Sequence, residues 1–300
     1  MTTIDISFVE QFRGNVIHLA QQQGSKLRRY IRDDPDFLQG KAGYFERVGQ
    51  TAMAKRTTRH GDTPLMDVPH SRRRVTMDDY EWADLIDHQD RIRQLIDPSS
   101  AYTRSAMMAM GRQWDDLIIA ALTGSAYSMD ADDAATAVPL PTGQKIDVND
   151  HTYDSGSGDV SLTVSKLQKA RQILRANEVD LDMEKPIIIC SELQIQKLLT
   201  DTKISSADYN NVRALVTGEL NTYMGFTFVQ TERTLTDASD DELVVAFCPS
   251  AIGLAVGEEM FFRTSERADK SYAQQIYLAF SAGATRVEDE KVVQIACDPS

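Results

Sequence analysis

The sequence predicts an α+β fold, and three observations carry that prediction. A helix of roughly 24 residues starts at Asp97-Pro98-Ser99-Ser100; residues 160–250 alternate amphipathic helices with short apolar strands; and the segments 40–77 and 272–296 read as strands and hairpins.

The elements follow in chain order. From Ser7 the pattern is an amphipathic helix: Ser7 and Glu10 have capping-box spacing, and Phe8, Phe12, Val16, Leu19, Leu27 and Ile31 share a face. Lys26, Arg28, Arg29 and Arg32 occupy the other face, Gly14 and Gly24 weaken the helix, and Asp33-Asp34-Pro35-Asp36 ends it. Two readings stand for it: docking on its own domain, or an arm that reaches a neighbour. In 40–75, Gly61-Asp62-Thr63-Pro64 predicts the turn of a long hairpin whose return strand is 66–75. A hairpin cannot bury a core alone, so it must lie on this chain or on another copy.

Residues 78–97 interleave acids with Trp82, Leu85, Ile86, Ile92 and Leu95, which predicts half-buried structure with a solvated acidic face. In the long helix, Met107, Met110, Trp114, Leu117, Ile118 and Ala121 recur at three- and four-residue intervals, and Thr123-Gly124 closes it. At ~1.5 Å per residue it spans roughly 35 Å. Residues 129–159, rich in Asp and without steady period, read as a long surface loop or hairpin. Then come a helix over 162–174, a buried strand over 186–190, a helix over 193–199 opening at Ser191, and another over 209–216. Strands follow at 225–230 and 243–247, and two more at 272–280 and 292–296, on either side of Ser281-Ala282-Gly283-Ala284.

Composition limits what the chain can do. With 42% hydrophobic and 26% charged residues it reads as a soluble globular chain, and its apolar runs are far shorter than the roughly 20 residues that cross a bilayer. The start Met1-Thr2-Thr3-Ile4-Asp5 lacks the basic and apolar regions of a secretory signal, so synthesis in the cytoplasm is expected. Cys190, Cys248 and Cys297 fit no metal or redox spacing and are expected to be reduced and buried. The net charge of -13 is uneven: residues 1–74 hold 13 of the 32 Lys/Arg and 8 of the 45 Asp/Glu, a balance of +5, which leaves -18 for the rest. A chain this acidic is a poor general nucleic-acid binder, because such a surface needs clustered cations.

No P-loop, GxGxxG, GxSxG or HExxH pattern occurs. His88 among Asp84, Asp87 and Asp90 is the best metal candidate, but an exposed acidic helix face accounts for it better. Asp130, Asp132 and Asp133 lack the glycine and terminal glutamate of a calcium loop. Neither a catalytic site nor a cofactor is therefore expected. The sharpest charge feature is basic: Lys55, Arg56, Arg59, Arg72, Arg73 and Arg74 in a stretch with little acid. We read these six as subunit-interface residues facing acidic surface on a sister copy, with nucleic acid as the second choice. Reversing Arg72, Arg73 and Arg74 to Glu is expected to block assembly and leave the monomer folded.

Taken in order, several segments carry a resemblance. They are Leu162-Thr163-Val164-Ser165-Lys166-Leu167-Gln168-Lys169-Ala170-Arg171-Gln172-Ile173-Leu174, then Pro186-Ile187-Ile188-Ile189-Cys190-Ser191, Gln196-Lys197-Leu198-Leu199, Gly218-Glu219-Leu220 and Gly225-Phe226. Gly111-Arg112-Gln113-Trp114-Asp115-Asp116, the tail from Ile276 to Arg286, and Val292-Val293-Gln294-Ile295 complete the set. The chain resembles the tailed-bacteriophage major capsid protein family, of the Hong Kong 97 type fold that encapsulins share. The resemblance implies an N-terminal arm (1–39), an extended E-loop hairpin (40–77), a peripheral domain with a long spine helix (78–128), an axial domain (129–270) and peripheral return strands (271–300). It implies hexamers and pentamers of the chain itself, closed into an icosahedral shell around double-stranded DNA bound without sequence specificity, in a virion assembled from subunits made in the host cytoplasm. A portal and cement proteins are expected partners. Some relatives trim an N-terminal scaffolding segment; here the arm starts within the first ten residues, so a separate scaffolding protein and no trimming are expected. Others link subunits through a lysine and an asparagine; Lys55 is an E-loop lysine, and no partner for it can be named. The other readings are an encapsulin-like compartment and a soluble α/β enzyme.

Overall fold

The computed structural model describes residues 21–34, 42–59, 63, 65–87, 99–129, 135–154, 156–200 and 222–299. In chain order the strands and helices are β1 (Arg32–Asp34), β2 (Ala42–Val48), β3 (His70–Thr76), β4 (Asp78–Ile86), α1 (Ser99–Thr123), β5 (Ala126–Met129), β6 (Ala135–Val138), β7 (Lys145–Ile146) and α2 (Val164–Ala176). There follow β8 (Ile187–Cys190), α3 (Glu192–Thr200), β9 (Thr222–Tyr223), β10 (Phe226–Gln230), β11 (Leu235–Thr236), β12 (Glu242–Phe247), β13 (Ile252–Arg267), β14 (Ala273–Arg286) and β15 (Val292–Cys297). The described residues fall into two compact units, one drawn from Met1–Ser25, Asp79–Gln113 and Glu258–Ser281, the other from Lys26–Asp78, Trp114–Gly257 and Ala282–Ser300.

The larger unit is built on a seven-stranded sheet ordered β7-β15-β12-β8-β10-β9, with β11 on β12. β8 and β10 run parallel, and β12 lies antiparallel to both β8 and β15. Every residue of β8 and β12 is buried, so both faces of these strands are covered. That is why 187–190 and 243–247 are continuous apolar runs, where a half-exposed strand would alternate. Leu167, Ala170 and Leu174 of α2 and Ile195 and Leu198 of α3 share one core with Ile188, Phe226, Phe228, Val244, Ala246, Val293 and Ile295. Side chains start both helices: the Thr163 hydroxyl accepts the Lys166 N–H at 3.4 Å, and the Ser191 hydroxyl accepts that of Gln194 at 3.4 Å. Lys166 is wholly buried and donates from Nζ to the carbonyls of Val160 at 2.6 Å and Ala296 at 2.7 Å, tying β15 to the loop before α2. A second sheet in this unit, β2-β3-β5-β6, is antiparallel throughout.

The smaller unit takes in the first part of α1 and the sheet strands β13, β14 and β4, from a sheet ordered β1-β13-β14-β4. Its inner face is apolar: Ile276 and Leu278 are buried and Tyr80 stacks on Phe280, with centroids 5.0 Å apart at 19°. The outer face of β4 presents Asp79, Glu81, Ala83 and Leu85, in the alternation that a one-sided strand requires.

Several expectations shift. The expected terminator Asp33-Asp34 lies in β1, which pairs parallel with Gly253, Leu254 and Ala255. The hairpin's return strand starts at His70 in place of residue 66, and 129–159 contributes β6 and β7. Ser281-Ala282-Gly283-Ala284 is no turn but the interior of β14, for a steric reason: a Cβ at Gly283 would overlap the backbone carbonyl of Thr76. The segment 271–300 does not return as one piece, because β15 pairs with β12 across six residues and so joins the larger unit. The helix expected at 209–216 and the turn at 61–64, apart from Thr63, lie outside the described residues, as does most of the N-terminal helix.

Candidate subunit interface

The hairpin β2-β3 pairs from Ala42 opposite Thr76 to Val48 opposite His70. A strand sends alternate side chains to opposite faces, so Arg73 and Val75 point one way and Arg72 and Arg74 the other. The inward pair is buried: Arg73 is 4% exposed and Val75 1%. Arg73 Nη2 donates to Asp289 Oδ2 at 2.5 Å, and Asp289 Oδ1 accepts from Arg286 Nε at 2.5 Å. The wholly buried Arg286 also donates to the carbonyls of Leu122 (3.2 Å), Gly124 (2.6 Å) and Val138 (3.0 Å). One carboxylate thus joins the base of the hairpin to the end of α1 and to β6. Burial pulls the Arg73 guanidinium below its ordinary pKa, against the opposing pull of Asp289.

The six basic residues therefore divide. Lys55, Arg56 and Arg59 lie in the irregular segment 51–59, in which every residue is exposed. Arg72 keeps 58% of its side chain in solvent and faces Glu46 across the hairpin at 3.4 Å. Arg74 is half-buried, with a buried Nε that has no acceptor among the described residues. Arg73 is not available to a neighbour, since Asp289 holds it inside the chain. The same loop carries apolar side chains without a core: Met53 and Leu65 are almost fully exposed.

The segment 111–116 holds the chain where the arm ends. In the smaller unit, a Cβ on Gly111 would stand 2.7 Å from the backbone of Gly24, and Arg112 donates to Gln21 Oε1 at 2.8 Å. In the larger unit, the buried Asp115 carboxylate accepts the backbone N–H of Lys26 and of Leu27, each at 3.1 Å, Arg28 stacks 4.6 Å over Trp114, and Asp116 pairs with Arg233. Asp289 escaped the sequence reading, although the parity of Arg73 with Val75 signals a buried arginine in need of a carboxylate. Among the described residues no three His, Cys, Asp or Glu side chains cluster to hold a metal; His88, Asp90, Asp130, Asp132 and Asp133 lie outside those residues.

A long helix, an α+β body and a hairpin whose tip has no core of its own define a structural subunit. The chain belongs to the phage capsid protein family, whose model matches residues 4–299. The fold is shared with the capsid of cyanophage P-SCSP1u (15% identity, TM-score 0.72, covering 100% of this chain and 96% of that one) and that of Ralstonia phage GP4 (13%, 0.71, 100% and 99%). The head structure of Helicobacter pylori bacteriophage KHP40 matches likewise, at 12% identity and a TM-score of 0.70, covering 100% of each chain. No curated protein sequence matches. The chain is a phage major capsid protein of the expected Hong Kong 97 type fold, a component of the virion shell and not an enzyme.

Proposed function

We propose that this protein closes as hexamers and pentamers into an icosahedral shell around double-stranded DNA. In this reading 1–39 is the arm, 40–77 the E-loop, the seven-stranded sheet with α2 and α3 the axial domain, and β4, β13 and β14 with the start of α1 the peripheral domain. Lys55, Arg56, Arg59, Arg72 and Arg74 act between subunits, while Arg73 anchors the hairpin. Subunits are made in the host cytoplasm and meet a separate scaffolding protein, a portal and cement proteins there.

One observation supports the reading above others: residues 51–59 are all exposed, with Met53 and three cations and no acid among them. Such a segment gains little from its own chain, whereas a shell lets each subunit make several modest contacts at once. Electron microscopy of the purified protein tests it. Closed particles are expected, and a chain that stays monomeric at every concentration refutes the proposal. Particles from infected cells should hold DNA; a packaged enzyme in its place would point to a compartment.

A further inference from the structure

The smaller unit has an outer sheet surface that its own folding leaves unused. On β13 the residues from Glu258 onward are exposed through Thr264, with Met260, Phe261 and Phe262 in succession and Phe261 40% exposed. Phe261 meets Tyr277 of β14 edge to face, with centroids 6.2 Å apart. The Tyr277 hydroxyl donates to Glu81 Oε2 at 3.1 Å, and Asp79, one turn of the pleat away on β4, is exposed beside it. Glu81, Glu258 and Asp79 all raise the pKa of Tyr277, with the Glu81 hydrogen bond the largest cause, so the surface round this ring is negative. The patch is therefore an aromatic strip, Phe261 and Tyr277, bordered by carboxylates. Aromatic side chains with one polar end are favoured at interface centres, and exposed apolar residues in a row are unusual on a surface that stays wet.

The larger unit carries the converse. Residues 50–59 hold Lys55, Arg56 and Arg59 with no acid, and Met53 stands fully exposed beside them. We infer that the outer face formed by Phe261, Tyr277, Glu81 and Asp79 is the seat for residues 50–59 of a second copy, Met53 against the aromatic strip and the cations against the carboxylates. The complementarity is twofold, apolar to apolar and positive to negative, so both register and sign are specified. This rests on the assembly reading above, and adds to it the acceptor on the neighbouring subunit.

Charge exchange tests it. Lys55→Glu with Arg56→Glu, or Asp79→Lys with Glu81→Lys, should each lower the particle yield roughly tenfold, as loss of about 1.4 kcal/mol per contact would. The four changes together restore the opposite signs and should bring the yield back. A second measurement does not depend on that rescue. With Met53→Cys and Phe261→Cys in one chain, assembled particles should give a ladder of disulfide-linked subunits on non-reducing gels, absent from the single variants; the native cysteines are buried. Particles without a ladder, together with no rescue by the fourfold variant, overturn the seat and leave assembly standing. A small cement-like protein that protects Phe261 and Tyr277 from labelling in such particles overturns it too. If the unaltered chain forms no particles, the assembly reading itself fails and the seat with it.

Discussion

Replacing Asp289 with asparagine removes the negative charge that two buried guanidiniums share. Arg286 keeps three backbone carbonyls when the carboxylate goes. Arg73 has no such reserve: its Nε and Nη1 are buried without an acceptor among the described residues, and Asp289 takes its Nη2. The loss therefore falls on the hairpin base. Removing one partner of a buried ion pair costs about 3–5 kcal/mol, because the other charge is left uncompensated. At roughly 2–4 °C per kcal/mol for a chain of this size class, Asp289→Asn should lower the melting temperature by on the order of 10 °C. Arg73→Met should cost less, since Asp289 then still has Arg286 and an under-satisfied cation is gone. Arg72→Glu loses a largely exposed pair and should cost under about 1 kcal/mol. Thermal unfolding of dilute, unassembled subunits ranks the three, and hydrogen exchange at the amides of 72–76 locates the damage. An Asp289→Asn melt within about 1 °C of the unaltered protein, or an Arg72→Glu cost equal to it, refutes the anchor. The ranking also changes how reversal of Arg72, Arg73 and Arg74 together must be read. That variant unfolds the hairpin base as well as repelling a neighbour, so Arg72→Glu with Arg74→Glu is the cleaner test of assembly.

Three further outcomes are expected. Gly283→Ala places a methyl group on the Thr76 carbonyl, a backbone overlap that no rotamer relieves, and should destabilise the subunit by about 1–3 kcal/mol in urea unfolding. Burial alone would push the Asp150 carboxyl up, but hydrogen bonds from Lys169 and Thr152 hold it below its ordinary 3.8. Its contribution of about 1 kcal/mol should thus be full above roughly pH 5 and fade as the pH falls through the depressed value, so that wild-type and Asp150→Asn melting curves converge in acid. Cys190, Cys248 and Cys297 are buried, and burial pushes the thiols of Cys248 and Cys297 up to about 12, so a thiol reagent should find none of the three in the native protein and all of them after unfolding.

The parts of the fold visible in the sequence are those whose signal is local. The long helix, α2, α3, β8, β10 and β12 each carry a complete pattern of cap and apolar period within their own residues, and each forms within two residues of its expected place. β13 had no such pattern. Its first residues are buried and its next seven exposed, so neither alternation nor a continuous apolar run marks it, and it took the pairing with β1 and β14 to make a strand of sixteen residues. Gly283 misled for a related reason: a glycine signals either a turn or a close approach, and only the position of Thr76, two hundred residues earlier in the chain, distinguishes them.

The candidate interface shows the same division. Charge composition alone put Arg72, Arg73 and Arg74 in one class, yet a strand's period of two separates them, and Val75 marks the parity that goes inside. Had that parity been applied, a buried arginine would have demanded a carboxylate, and Asp289 stands three residues from Arg286 in the tail. For the loop, burial adds what composition lacked. Lys55, Arg56 and Arg59 stand beside a fully exposed Met53, and a cationic segment with an exposed apolar side chain gains most from a surface that is both acidic and aromatic. The sheet face of Phe261, Tyr277 and Glu81 has that character, while the -18 of residues beyond 74 states only that acid is plentiful. Net charge sets the sign of an interface, and the pleat of two strands sets its address.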